Sequence, residues 1–327
     1  MKIKNITYAQ AIIEAMDEEM QRDKRVILLG EDVGIYGGNF KTATGLFKKY
    51  GEWRVRNTPI SENGFTGLGL GAALTGLRPI IHNFYSDFLM VAMDQIVNQI
   101  AKIRYMSGGQ AKVPLVIRTS IGAGRSQAAQ HSQSLQAMIC HIPGLKVVMP
   151  SSATEAKGLL KTSIRDNNPV VFFEHKMEYN KIYEVSEEEY TIPFGVANIL
   201  KEGKDITIVG TSNMALKALK AAEELAKEGI DVEIIDPRTL VPLDKDTIIK
   251  SVKKTGKLLI VDEGYERCGV AAEIAMSILS DVFYYLDAPI ERLTTANFPL
   301  SFSPALEFLI IPNEKKIYQK AKEMVMG

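Results

Sequence analysis

Cysteine is scarce. Cys140 and Cys268 are the only two in 327 residues, and they lie far apart. They form no spaced metal-ligand pattern, and a reduced cytoplasmic protein is the expectation. Net charge is also missing, because thirty-nine basic residues cancel thirty-nine acidic ones. No positive field draws the chain to nucleic acid or to an anionic membrane. No apolar run approaches the roughly 20 residues of a membrane span. The first ten residues lack the long apolar stretch of a secretory signal. A Walker loop, H-E-x-x-H and G-x-S-x-G are all absent, which removes the common hydrolase and triphosphatase chemistries.

What is present is the composition of a folded α/β protein, 46% hydrophobic and 24% charged. Apolar runs at 26–30, 79–84, 113–119, 145–149 and 170–174 read as strands. Residues 86–106 and 153–166 read as helices between them. The opening helix starts at Thr7, a good N-cap, and carries Ile12, Ile13, Met16 and Met20 on one face. Such alternation predicts a parallel sheet covered on both faces. Around 176–203 the pattern breaks, with an acidic run at 187–189. Regular alternation then resumes, with strands at 206–210, 232–236 and 258–262 and helices near 215–228, 244–253 and 270–280. The expected domains are residues 1–180, a linker at 181–195, and a smaller α/β domain at 196–327. No internal repeat is visible.

Gly64, Gly67, Gly69, Gly71 and Gly76 crowd one stretch. The glycine spacing of a dinucleotide loop is not met. A slim helix that lets another backbone approach is favoured over phosphate binding.

Eight phrases, in order, carry a resemblance that runs over nearly the full chain. They are Leu29-Gly30-Glu31-Asp32-Val33-Gly34, Thr58-Pro59-Ile60-Ser61-Glu62, Gly76-Leu77-Arg78-Pro79, Tyr105-Met106-Ser107-Gly108-Gly109, Ala129-Gln130-His131-Ser132-Gln133, Pro143-Gly144-Leu145-Lys146-Val147, Ile164-Arg165-Asp166-Asn167-Asn168-Pro169 and Asp236-Pro237-Arg238-Thr239-Leu240. Together they resemble the β subunit of thiamine-diphosphate-dependent 2-oxo acid and acetoin dehydrogenases. The resemblance implies a pyrimidine-binding α/β domain followed by a transketolase-type C-terminal α/β domain. It also implies an α subunit in an α2β2 heterotetramer, a dihydrolipoyl acyltransferase core, and no nucleic-acid or membrane partner. Thiamine-diphosphate enzymes hold the diphosphate and magnesium with a Gly-Asp-Gly motif. None occurs here, so the cofactor is expected to be shared, with magnesium on the α subunit. The chain then looks like half of an active site.

The resemblance names the site residues. Glu62 matches the glutamate that hydrogen-bonds the aminopyrimidine ring, favouring the tautomer that removes the thiazolium proton. Such a glutamate needs a raised pKa to share a proton at neutral pH. From the residues alone, a carboxylate satisfying free N–H groups at a helix start is the stronger reading; the surrounding phrase reverses that. His131 matches the histidine near the substrate and the incoming lipoyl group, and imidazole changes charge near pH 7 at little cost. Phe88 matches an aromatic packed on the pyrimidine ring. Potassium is implied at Leu115, Ser163, Ile164, Asp166 and Asn168, by resemblance only. Arg118 and Arg125 suit an anionic partner, and a solvated or interface role equally well. His141 is assigned to the core.

Ala129-Gln130-His131 lacks the Tyr found before the matching phrase in branched-chain members. Glu174-His175-Lys176 and Glu266-Arg267-Cys268 look more like acetoin members than the animal pyruvate type. Acetoin is therefore the favoured substrate and pyruvate the alternative, with a branched-chain 2-oxo acid below both. Two rival classes remain. A non-catalytic assembly subunit conflicts with intact Glu62 and His131. A single-chain transketolase-like enzyme conflicts with the missing Gly-Asp-Gly and the short length.

Overall fold

The computed structural model describes residues 2–327. Two compact units form. The first holds the chain up to Ile121 together with Met138–Phe194; the second holds Gly122–Ala137 and Gly195–Gly327.

The first unit opens with strand β1 (Ile3–Thr7) and helix Tyr8–Arg22. Thr7 caps that helix as expected: its hydroxyl accepts from the Gln10 N–H at 3.1 Å, and the Gln10 side chain accepts from the Thr7 N–H at 2.9 Å. Parallel strands follow: β2 (Val26–Gly30), β3 (Val55–Asn57), β4 (Arg78–Tyr85), β5 (Val116–Ile121), β6 (Lys146–Val148) and β7 (Val170–His175). Within this unit they lie in the order β6-β7-β5-β4-β2-β3. β2, β5 and β7 are buried along their whole length, as continuous apolar strands in a two-faced parallel sheet must be. Ile80 joins the core beneath helices Tyr8–Arg22 and Ala153–Arg165. The adjacent Ile81 points to the other face and meets helix Glu62–Leu74 at Gly69. A Cβ on Gly69 would come within 2.5 Å of the Ile81 side chain.

Helices Tyr8–Arg22 and Ala153–Arg165 are clamped by charge. Lys157 and Lys161, both buried, reach Glu18 at 2.6 and 2.7 Å, and Arg165 reaches buried Glu19 at 2.6 Å. Burial of the lysine stems with paired heads avoids the cost of a lone buried charge. Strand β8 (Ile182–Ser186) returns to pair antiparallel with β1, Ile3 opposite Ser186. Strand β8 lies in the stretch expected to be a linker. The expected helix 86–106 is broken into a 3-10 turn Ser86–Met90, a π-helix Asp94–Ile100 and a short α-helix Ile103–Met106.

The second unit carries β9 (Asn198–Lys201), β10 (Ile206–Gly210), β11 (Val232–Asp236), the short β12 (Thr239–Val241), β13 (Leu258–Tyr265) and β14 (Glu291–Thr295). Its own sheet runs β14-β13-β10-β11-β9, parallel except for β9. Ile208, Ile234 and Leu259 pack with Met214, Ala218, Ile317 and Ala321 of the covering helices. Both units are thus the expected α/β architecture. Among the described residues no helix is long and apolar enough to cross a membrane.

Candidate active site

The carboxyl ends of parallel strands leave a crevice where ligands bind, and in the first unit this edge carries two of the expected residues, Glu62 and Phe88. Gly30 ends β2 at φ +149, and a Cβ there would lie 2.4 Å from the His82 carbonyl oxygen of β4. A side chain would push β2 and β4 apart, so glycine is required. The next residue is Glu31, which is buried. On the other side, Asn57 of β3 pairs with Gly30, and the Thr58 N–H donates to the Gly30 carbonyl at 3.0 Å. The chain then turns through Pro59-Ile60-Ser61 into helix Glu62–Leu74, which begins at Glu62. Glu62 is 8% exposed.

Glu31 and Glu62 thus leave neighbouring strand ends toward a common region. The carboxyl of Glu31 is pushed up from 4.5 to about 7, by burial first and then by the negative charges of Glu62 and Asp32. One Glu31 oxygen, Oε1, is buried with no hydrogen-bond partner among the described residues. The same holds for the Thr58 hydroxyl, both ring nitrogens of His82 and both amide atoms of Asn83. His82 is held down at about 3 by burial and then by the Arg118 cation, so its ring is neutral. Buried polar atoms without partners are rare and call for an explanation, and so many at one sheet edge suit a polar ring-bearing ligand.

Phe88 sits on the 3-10 turn just after β4, half-buried, with its ring edge-on to Tyr85 at 6.1 Å. It shares the first unit with Glu62. His131 does not: it lies on Gly122–Ala137, which belongs to the second unit. It is half-buried.

The five positions expected for potassium all lie in the first unit. Leu115 precedes β5; Ser163 and Ile164 end a helix; Asp166 and Asn168 follow it. The Val113 N–H donates to the Asn167 carbonyl at 3.1 Å and the Val170 N–H to the Leu115 carbonyl at 2.9 Å, tying the two loops. The Arg78 guanidinium already donates to the carbonyls of Ile164 and Asp166, at 3.0 and 2.9 Å. Each carbonyl has a second lone pair, so the oxygen set still suits a hard monovalent cation. For the Asp166 carboxyl, burial acts upward but is outweighed by Lys146 and Asn168, so it sits below its usual range. Among the described residues no three His, Cys, Asp or Glu side chains cluster as metal ligands.

Arg118 offers nothing to an external anion. It is fully buried on β5 and forms a two-pronged pair with Glu174 of β7, Nε to Oε1 at 2.7 Å and Nη2 to Oε2 at 2.9 Å. Tyr179 also donates to Glu174, at 3.0 Å. Glu174, one cue for acetoin, is therefore a core group. Sequence reading singled out Glu62 but passed over Glu31, His82 and Asn83. A usable signal was present: Glu31 is a charged residue directly after a five-residue apolar run, where a parallel strand delivers side chains to the crevice.

Comparison with known proteins agrees with this architecture. Residues 4–181 match the transketolase pyrimidine-binding domain family, and residues 195–317 the transketolase C-terminal domain family. The chain is similar to the pyruvate dehydrogenase E1 component subunit beta of Rickettsia felis, 49% identical, covering 98% of each chain. It is similar at 48% to the acetoin:2,6-dichlorophenolindophenol oxidoreductase subunit beta of Cupriavidus necator, covering 97% of this chain and 96% of that one. A solved split-gene transketolase, an inactive β4 tetramer, superimposes with a TM-score of 0.79 at 24% identity, covering 98% of each chain.

Proposed function

This chain belongs to the transketolase-type family of dehydrogenase E1 β subunits, and from that premise we propose that it is the β subunit of a thiamine-diphosphate-dependent acetoin dehydrogenase. It works with an α subunit in an α2β2 assembly and hands the acyl group to a lipoyl acyltransferase. Pyruvate is the second reading, favoured by the 49% identical relative.

The observation that carries the thiamine reading is the Glu31–Glu62 pair at the carboxyl edge of the first sheet, among buried polar atoms that lack partners. These residues fit the aminopyrimidine half of the cofactor. When bound, thiamine diphosphate supplies a nucleophilic carbon for attack on the substrate carbonyl. Glu62, buried at the start of its helix, would hydrogen-bond a ring nitrogen of the bound aminopyrimidine. Glu31, with its high proton affinity, favours one shared proton over two adjacent negative charges. Phe88 supplies a flat apolar face, and His131 moves or orients a proton at the substrate and lipoyl end. The diphosphate and magnesium fall to the α subunit, since this chain has no Gly-Asp-Gly. Potassium on the loop oxygens around Asp166 belongs to the same proposal.

The substrate test is direct. The chain is co-purified with its α subunit, and reduction of 2,6-dichlorophenolindophenol is followed with acetoin or with pyruvate. The proposal expects kcat/KM for acetoin to exceed that for pyruvate by about tenfold or more, the least that one small-group difference in a pocket gives. The reverse preference assigns the chain to pyruvate.

A further inference from the structure

The segment that carries His131 has no regular secondary structure over most of its length, yet its backbone is tightly defined. It leaves β5 through Gly122 at φ +101. Ala123 is buried and packs with Leu300 and Ile311. Gly124 has φ +99, while Ser126 and Ala128 have φ +54 and +61, the left-handed region that non-glycine residues avoid. Such residues cost energy and persist only where their surroundings hold them.

Buried carboxylates do the holding. The Ala123 N–H donates to Glu263 Oε1 at 2.5 Å. The Gly124 N–H donates to Glu307 Oε1 at 2.9 Å and the Ser126 N–H to Glu307 Oε2 at 3.1 Å, so one carboxylate bridges two backbone amides around the strained turn. At the far end Gln136 Nε2 donates to Asp262 Oδ1 at 2.8 Å, and Thr211 Oγ1 donates to the same oxygen at 2.5 Å. A Cβ on Gly264 would lie 2.5 Å from Asp262 Oδ2 and 3.0 Å from Gln136 Nε2, so this corner tolerates no added side chain. Glu307, Glu263 and Asp262 are 3%, 7% and 0% exposed. Bonds from backbone N–H to a carboxylate are charge-assisted and geometrically demanding. All of these groups lie in the second unit. His131 lies between the two pinned ends.

We propose that Glu307 and Glu263 are positioning residues for His131: they hold Ala123–Gly124–Ser126 in the strained shape from which His131 projects, and so set the step that uses His131 without touching the substrate. This rests on the functional reading of His131 given above. A glutamine at 307 keeps one acceptor but turns an NH2 donor toward the second backbone N–H. Glu263→Gln leaves a neutral amide oxygen to accept the Ala123 N–H and removes the charge that strengthens that bond.

The test uses the full chain assembled with its α subunit and loaded with thiamine diphosphate and magnesium. Glu307→Gln and Glu263→Gln are compared with wild type by hydrogen exchange, by lipoyl-dependent acyl transfer and by dichlorophenolindophenol reduction. Exchange in the peptide covering 122–131 is expected to quicken about tenfold or more, with β10 and β11 unchanged. Acyl transfer is expected to fall by a similar factor and dye reduction by less. On a His131→Ala background, Glu307→Gln is expected to lower acyl transfer no further, because both changes remove the same contribution. Unchanged exchange at 122–131 in both variants overturns the clamp, whatever His131 does. A Glu307→Gln loss that adds in full to that of His131→Ala shows that the carboxylate acts elsewhere, and also overturns it. If His131→Ala alone affects neither rate, the reading of His131 fails, while the exchange result still decides whether the clamp exists. Should Glu307→Gln not assemble, the same outcomes are read on Glu263→Gln.

Discussion

Replacing Glu31 with Gln should stabilise the protein at high pH and not at low pH. In the folded chain the Glu31 carboxyl is raised from 4.5 to about 7, by burial and then by Glu62 and Asp32. A carboxyl raised on folding binds its proton more tightly in the native state. Below about pH 4.5 it is protonated folded and unfolded, and costs nothing. Between about 4.5 and 7 the unfolded chain ionises first, and native stability falls as pH rises; above about 7 the full penalty is present. The upper limit is about 3 kcal/mol, at about 1.4 kcal/mol per tenfold change in proton affinity. Water reaching the open edge of the sheet screens this, and about 1–2 kcal/mol is a fair expectation. Gln is nearly isosteric and cannot ionise, so it removes the penalty. Thermal melts of the cofactor-free α–β assembly, wild type beside Glu31→Gln, should show the variant gaining a few degrees on wild type between pH 5 and pH 8. The same difference in melting temperature at both pH values would refute the reasoning and leave Glu31 with an ordinary proton affinity.

Glu62→Gln should leave assembly and circular dichroism intact and lower turnover about 10²-fold, the scale of a positioned proton-transfer group; near-normal turnover would leave Glu62 as a helix-start residue only. The glycines of helix Glu62–Leu74 should separate by face. Gly69 packs on Ile81, whereas Gly71 meets nothing within 4 Å in its own chain. Gly69→Ala should therefore lower the melting temperature of the β chain itself. Gly71→Leu should spare it and weaken co-purification with the α subunit, and an unaffected tetramer would show that this face stays open. Exchanging sodium for potassium at constant ionic strength should raise the melting temperature if the oxygens around Asp166 hold that ion, and no difference removes potassium from the proposal.

The parts of the fold that were legible are those where one local rule governs. Val26–Gly30, Ile206–Gly210 and Val232–Asp236 are fully buried strands, and a short unbroken apolar run has few other uses. The β1–β8 ribbon was not legible: Ile3 pairs with Ser186 across most of the first unit, and each strand alone is five residues long and only partly buried. β5 begins at Val116 rather than at 113. Pro114 has no N–H to give to a ladder, and Val113 bonds instead to the loop at Asn167. The π-helix at Asp94–Ile100 escaped because it is defined by i→i+5 backbone hydrogen bonds, which carry no residue-type signal. At the site, Glu62 was visible through its phrase. The raised proton affinity of Glu31 was not, because it depends on two strand ends meeting. The carboxylates that hold the His131 segment lie far along the chain, at Glu263 and Glu307.

The central claim is that this chain contributes half of a thiamine-diphosphate site. Calorimetric titration of thiamine diphosphate with magnesium, into the isolated chain and into the chain assembled with its α subunit, tests it most directly. The account predicts weak or undetectable heat for the chain alone and tight, magnesium-dependent binding for the assembly. Tight magnesium-dependent binding by the isolated chain would contradict it.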